Sequence, residues 1–161
     1  MEYSQKPVIV SEDYSLVGEI MKPLNKVATP VKIIATVNFI AALLHILFWS
    51  LAFIKLPFPL SIMNMAERAN MAITYGFGIA DLIFSFPLLL FGAIGIWQLK
   101  SWGWLFIQLA NILWWYSFTV LLSRDIFTKT ISPGIIIFLP FALFAFWAAY
   151  WLWKNKQDFL A

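Results

Sequence analysis

Two ionisable residues lie inside long apolar stretches of this sequence. Asp81 is the one charged residue of the stretch Met71–Leu99, and His45 lies inside Val31–Phe53. A carboxylate at the centre of a membrane helix costs at least about 2.5–3.5 kcal/mol, so it usually faces a partner or a wet cavity rather than lipid. A histidine paired with it could carry protons or polarise a bound group. We therefore expect Asp81 and His45 to form a functional pair.

Polar residues recur at helical spacing around this pair. Intervals of three and four residues place side chains on one face of a helix. The three resulting stripes are Asn38, Ala42, His45 and Trp49; Thr74, Gly78, Asp81 and Ser85; and Gln108, Asn111, Trp115 and Thr119. The apolar stretch at residues 134–153 has no such stripe. This absence predicts that it serves as a packing surface.

Counting residues from the outer ends of the stretches predicts which polar side chains meet. At 1.5 Å per residue, His45 and Asp81 lie roughly 13 and 15 Å below the outer surface, so they can meet. Asn111 and Trp115 are expected to line the same pocket, and Asn38 and Gln108 to form a deeper tier. Asn38, Gln108 and Thr119 have a second interpretation, because such groups often only join membrane helices through hydrogen bonds.

The composition indicates the elements that must position these residues. Of the 161 residues, 62% are hydrophobic and 12% are charged, and the mean hydropathy is +0.83. Soluble domains carry about 25% charged residues, so this chain is expected to be an integral membrane protein. Membrane lipids are its expected surroundings, and its scattered basic residues argue against nucleic-acid binding.

The apolar stretches predict an all-α, four-helix transmembrane bundle. Each stretch is long enough to cross a hydrocarbon layer of about 30 Å. Residues 1–30 are predicted to be a polar N-terminal segment. The mixture of apolar and charged residues in Leu56–Asn70 predicts a short amphipathic helix on the membrane surface. Pro87 predicts a kink in the second span. The expected spans are 31–54, 71–98, 103–123 and 134–153, within a transmembrane domain of residues 31–161.

Basic residues near the ends of the spans predict the orientation. Lys22, Lys26, Lys32, Lys100, Lys154 and Lys156 fall on one side, and Lys55, Arg68, Arg124 and Lys129 on the other. Lysine and arginine are enriched in cytoplasmic loops, so this bias places both termini in the cytoplasm, with the protein in the cell membrane.

The segment Gly95–Trp104, GIWQLKSWGW, is a short basic turn between aromatic residues. It resembles a hairpin of small four-span bacterial and archaeal membrane proteins, including DoxX-like and uncharacterised families. The resemblance covers about ten residues and implies a membrane hairpin. It assigns no site residue, substrate or cofactor.

Several kinds of chemistry are excluded by residue counts. The chain has no cysteine, which excludes thiolate metal sites and cysteine-based redox relays. His45 is the single histidine, so neither a bis-histidine haem nor a multi-histidine metal site can form within one chain. We expect no metal site, and the sequence names no cofactor.

Three functional classes remain open. The first is a lipophilic-ligand-binding or accessory membrane subunit, with a buried pocket formed by Asp81, His45 and Asn111. The second is a proton-coupled carrier or channel that acts as a homo-oligomer or in a larger membrane complex. The third is an intramembrane enzyme that performs acid–base chemistry on a lipophilic substrate. We favour the first class, because the chain is short for a transporter and carries no enzyme motif. The candidate residues are Asp81, His45, Asn111, Trp115, Asn38, Gln108, Trp49 and Ser85.

Overall fold

A computed structural model of the protein describes residues 28–56 and 64–160. Within these ranges the chain forms only helices, which we number in order. They are α1 (Thr29–Lys55), α2 (Met65–Trp97), α3 (Ser101–Thr128), α4 (Pro133–Lys154) and the short α5 (Gln157–Leu160).

Helices α1 to α4 are each long and apolar enough to cross a membrane. The all-α class and the four spans predicted from the sequence are therefore confirmed, and the chain is a multi-pass membrane protein. Most of the polar segment predicted over residues 1–30 lies outside the described residues, while Thr29 and Pro30 already belong to α1.

The second span begins six residues earlier than predicted. Asn64 caps α2: its side-chain oxygen accepts a 2.9 Å hydrogen bond from the Glu67 N–H, and Glu67 accepts one from the Asn64 N–H. This reciprocal capping satisfies backbone donors at the helix start. Residues 65–70 therefore belong to the second span. The prediction that Leu56–Asn70 forms a separate surface helix is wrong for these six residues. Residues 57–63 of that prediction lie outside the described residues.

A π-helical turn over Asp81–Ser85 directly precedes Phe86 and Pro87, the proline at which the sequence predicts a kink. The Phe86 N–H donates to the Asp81 carbonyl, five residues back. Proline has no N–H, and its ring clashes with the carbonyl four residues earlier in a regular α-helix. The wider π turn just before Pro87 accommodates that mismatch, and π turns are frequent at functional sites. Asp81 opens this turn.

A close glycine contact joins α2 to α3. A Cβ atom added to Gly103 would overlap the backbone of Gly95, so both positions require glycine for this approach. The turn between them closes with Leu99 in the left-handed region, at a φ of 54°. The Lys100 N–H donates to the Gly95 carbonyl at 2.9 Å, which satisfies a carbonyl at the end of α2.

The third span is longer at its C-terminal end than predicted. The predicted loop began at Arg124, whereas α3 continues to Thr128 and ends at Lys129, whose φ is 53°. The Thr130 N–H donates to the Asp125 carbonyl at 3.0 Å, and the Asp125 carboxylate accepts from the N–H and hydroxyl of Ser132 at 2.7 and 2.8 Å. These bonds join the end of α3 to the start of α4.

Neighbouring helices pack in chain order, α1 on α2, α2 on α3 and α3 on α4. One buried apolar cluster lies at the end where α1 begins, and it includes Ile34, Ile96, Ile107 and Leu152, with Phe159 of α5. A second cluster, nearer the middle, contains Ala41, Ala42, Leu89 and Ala110. His45 and Ser85 line a small cavity together with Leu89 and Ala110 of this second cluster.

Candidate functional site

The Asp81 carboxylate accepts one hydrogen bond on each of its oxygens, one from α1 and one from its own helix. Oδ2 accepts a 3.0 Å bond from Nε1 of Trp49, and Oδ1 accepts a 2.8 Å bond from the Ser85 hydroxyl. Trp49 reaches across from α1, whereas Ser85 lies one turn further along α2. The carboxylate therefore has two neutral donors, and each oxygen keeps a further lone pair.

His45 completes this group of residues. Its Nε2 lies 3.9 Å from Oδ2 of Asp81, and its Nδ1 lies 3.2 Å from the Ala41 carbonyl oxygen. A carbonyl can only accept, so the proton of a neutral His45 belongs on Nδ1. Nε2 then presents a lone pair towards the carboxylate, and the two atoms attract only when a proton is added to one of them.

Gly78 allows Trp49 to approach Asp81. A Cβ at Gly78 would lie 2.5 Å from Cε3 of Trp49 and 2.5 Å from Cζ of Phe53, so both rings occupy the space that a side chain would need. The Phe53 ring stacks in turn on Tyr75, with centroids 5.5 Å apart. The small residue one turn before Asp81 thus brings an indole N–H within hydrogen-bonding distance of the carboxylate.

Asp81 lines a groove between α2 and α3, on the periphery of the helix bundle. The groove has a volume of about 300 Å³ and is mostly apolar. The Asp81 side chain is 21% exposed, so the carboxylate is accessible from this side. We call this the Asp81 groove, and its lining is Ile73, Gly76, Phe77, Ala80, Asp81, Phe84, Ser85, Leu113, Tyr116 and Ser117.

A smaller cavity lies on the other side of Ser85. Its volume is about 10 Å³, close to the space that one water molecule requires, and His45 lines it together with Trp114 and Phe138. Ser85, Leu113 and Ser117 line both this cavity and the Asp81 groove. His45 and Asp81 therefore face two adjoining spaces that share a wall containing two hydroxyl groups.

None of the three predicted amide residues has a described hydrogen bond to Asp81 or His45. Asn38 donates to the Ile34 carbonyl of its own helix at 2.7 Å. Gln108 donates to the Ala149 carbonyl of α4 at 3.3 Å, and Nδ2 of Asn111 lies 3.4 Å from Oε1 of Gln108. Asn111 is only 3% exposed, and its Oδ1 has no hydrogen-bond partner among the described residues.

The predicted position of Trp115 in the pocket is wrong. Trp115 is 42% exposed and packs on Phe146 of α4. The indole beside His45 is Trp114, at a centroid distance of 5.5 Å, and Phe141 stacks on its other side at 4.9 Å. Trp114 follows Asn111 by three residues and Trp115 follows it by four, so helical spacing permits either tryptophan. Only the packing of α3 against α4 distinguishes them.

The three polar stripes of the sequence thus differ in how many of their residues face the interior of the bundle. The stripe of α1 places Asn38, His45 and Trp49 inward, and that of α2 brings Asp81 and Ser85 together. The stripe of α3 faces inward at Asn111 but outward at Trp115 and Thr119. Within the described part of the chain, no three His, Cys, Asp or Glu side chains are grouped so as to hold a metal ion.

Comparisons of the chain with protein-family models, with curated proteins and with solved structures find no match. The local resemblance of Gly95–Trp104 to DoxX-like hairpins is therefore not extended to the rest of the chain. In the structure this segment contains the Gly95–Gly103 contact, which is a packing feature. The four long apolar helices identify a multi-pass membrane protein, without a family.

Proposed function

We propose that this protein binds a small lipophilic molecule in the Asp81 groove, with the polar end of that molecule at Asp81 and Ser85. The observation that carries the proposal is a carboxylate that is held by two hydrogen bonds and still opens onto an apolar groove. Placing a carboxylate inside a membrane helix costs free energy, and a polar group bound to the carboxylate would offset that cost.

The size and lining of the groove support this proposal. Small-molecule sites typically occupy about 300–1,000 Å³, with apolar walls and a few polar groups that fix orientation. The groove volume of about 300 Å³ lies at the lower end of that range, and Asp81, Ser85 and Ser117 supply the polar groups. Because the groove lies on the outside of the bundle, an apolar molecule could enter it directly from the lipid. The same site would serve a free-standing binding protein or an accessory subunit.

We propose in addition that the ends of the bundle near Lys100 and Lys154 face the cytoplasm of the cell. The support is the excess of lysine on that side, counted near the helix ends. The Asp81 groove would then lie in the membrane interior, with the α3–α4 loop on the outer side.

Substitution at Gly76 offers a test of binding, because Gly76 lines the groove and a Cβ there would meet nothing within 4 Å. A Gly76→Leu side chain should fill the groove without disturbing the bundle. Ala72→Leu is the matched control, since Ala72 is exposed on the same helix and does not line the groove. Both variants and the wild-type protein are purified gently in lipid nanodiscs, and their bound small molecules are identified by mass spectrometry.

We expect a molecule that is retained by the wild-type protein and by Ala72→Leu. Its amount should fall at least ~10-fold in Gly76→Leu, because loss of about 1.4 kcal/mol of binding free energy already gives that factor. Equal amounts of every co-purified molecule in the three samples would contradict the proposed function.

A further inference from the structure

We infer that the molecule bound in the Asp81 groove carries an ammonium group. This inference rests on the proposed function and specifies the chemical class of its ligand. The Asp81 carboxylate has neutral donors in Trp49 and Ser85, and neither neutralises its charge. A charge in a low-dielectric interior is costly unless an opposite charge pairs with it. A cationic ligand would supply that charge from the open side of the groove.

His45 does not fill this role while it is neutral. Its Nδ1–H is used by the Ala41 carbonyl, and its Nε2 lies 3.9 Å from the carboxylate oxygen, beyond hydrogen-bonding distance. Both facing atoms then carry lone pairs. A cation in the groove would supply the positive charge that the neutral imidazole does not.

The groove offers the contacts that an ammonium with an apolar body requires. Each Asp81 oxygen accepts one described hydrogen bond and has a lone pair left for an N–H donor. Phe77, Phe84 and Tyr116 also line the groove. Aromatic faces attract ammonium groups and bury apolar carbon, so these rings suit both parts of the molecule.

The depth of Asp81 favours a free lipophilic amine over an aminolipid headgroup. Asp81 is the middle residue of the 33-residue helix α2, about 24 Å from either end at 1.5 Å per residue, so it lies well inside a hydrocarbon layer of about 30 Å. The ammonium of phosphatidylethanolamine is bonded through two carbons to a phosphate, which would have to follow it into the hydrocarbon region. A primary amine on an apolar chain carries no second polar group into the membrane.

The test uses two probes of nearly the same shape, 4-phenylbutylamine and 4-phenyl-1-butanol. The protein is placed in nanodiscs of phosphatidylcholine, and binding of each probe is measured by equilibrium dialysis at neutral pH, where the amine is protonated. The variants are Asp81→Asn, His45→Asn and Gly76→Leu. The amide nitrogen of His45→Asn can occupy the position of Nδ1, so the bond to Ala41 is kept.

We expect the amine to bind the wild-type protein at least ~10-fold more tightly than the alcohol. Asp81→Asn should reduce this preference to within about twofold, while Gly76→Leu should weaken both probes. His45→Asn retains the Asp81 carboxylate and should keep the preference for the amine.

Failure of the ammonium inference can be distinguished from failure of the proposed function. If the alcohol binds as tightly as the amine and Gly76→Leu weakens both, the ammonium inference is wrong and the proposed function stands. If neither probe binds and Gly76→Leu retains the same co-purified molecules as the wild-type protein, both proposals are wrong. A last sample contains nanodiscs with phosphatidylethanolamine. If this lipid displaces the amine through an interaction that Asp81→Asn removes, the ammonium chemistry holds and the aminolipid is its source.

Discussion

The Trp49 indole donates a 3.0 Å hydrogen bond to the Asp81 carboxylate from the neighbouring helix. The contact depends on Gly78, because the indole carbon Cε3 lies where a side chain at that position would begin. Asp81 is thereby fixed between a tryptophan of α1 and a serine of its own helix, while its open side faces the groove.

Replacing Gly78 by alanine should displace Trp49 and weaken the bundle. Overpacking of this kind typically costs about 1–3 kcal/mol, since the Trp49 and Phe53 rings must both move. The matched control is Gly76→Ala, whose added methyl meets nothing within 4 Å and which should leave stability unchanged or slightly raised. Thermal unfolding in detergent measures both. Equal midpoints for the two variants would contradict the close approach of Trp49 to Gly78.

The Trp49–Asp81 bond should appear as a coupling free energy in a double-mutant cycle of Trp49→Phe and Asp81→Leu, because leucine has no acceptor for the indole N–H. Hydrogen bonds to charged groups contribute about 1.5–3 kcal/mol, so the double variant should be less destabilised than the sum of the single variants. Trp115→Phe serves as control, because Trp115 is exposed and packs on Phe146. Strict additivity of the free energies of unfolding would show that the bond contributes nothing.

Alanine at Gly103 should disrupt the α2–α3 hairpin. Its Cβ would overlap the backbone of Gly95, which cannot move aside as a flexible side chain can, so we expect a loss of about 3 kcal/mol or more. Gly134→Ala is the comparison, since its nearest neighbours lie at an ordinary 3.6 Å. The two variants are compared by yield of folded protein and by melting temperature. A Gly103→Ala protein as stable as Gly134→Ala would contradict the backbone contact.

Leucine should be tolerated at Asn111, although this residue is buried and polar. Its Oδ1 has no partner among the described residues, and an unsatisfied buried acceptor costs about 1–3 kcal/mol. Asn111→Leu should therefore match or exceed the wild-type melting temperature. Ser85→Ala removes a bond that is made and should lower it. A large destabilisation by Asn111→Leu, accompanied by loss of a bound molecule, would instead place this oxygen in a binding site.

Cysteine labelling should locate the two ends of the bundle, because the background contains no native cysteine. Lys100→Cys and Gln157→Cys are expected to react with a membrane-impermeant reagent only from the cytoplasmic side. Phe127→Cys, at an 88% exposed position near the end of α3, should react only from outside. Reaction of Phe127→Cys from the cytoplasm would reverse the orientation. Reaction of Lys100→Cys and Gln157→Cys from opposite sides would contradict the packing of Phe159 against Ile96.

The sequence by itself determined the four spans and two of the inward faces. Apolar stretches longer than the hydrocarbon thickness leave few alternatives, because every backbone polar group in lipid must bond within its own helix. Intervals of three and four residues also identified Asp81, Ser85, His45 and Trp49, which the structure brings together. The predicted helix ends were less accurate, because the sequence reading missed the Asn64 cap and the left-handed conformation of Lys129.

The tertiary structure decided which tryptophan of α3 faces inward and which space Asp81 faces. Trp114 and Trp115 satisfy the helical period equally well, and Trp114 is the one that contacts His45 and stacks on Phe141. The groove depends on how far α2 and α3 separate beyond their glycine contact, which involves residues distant in sequence. A hydrophobic pattern records which face of a helix is apolar. It does not record how closely two apolar faces approach, and that distance determines whether the Asp81 carboxylate is buried or accessible.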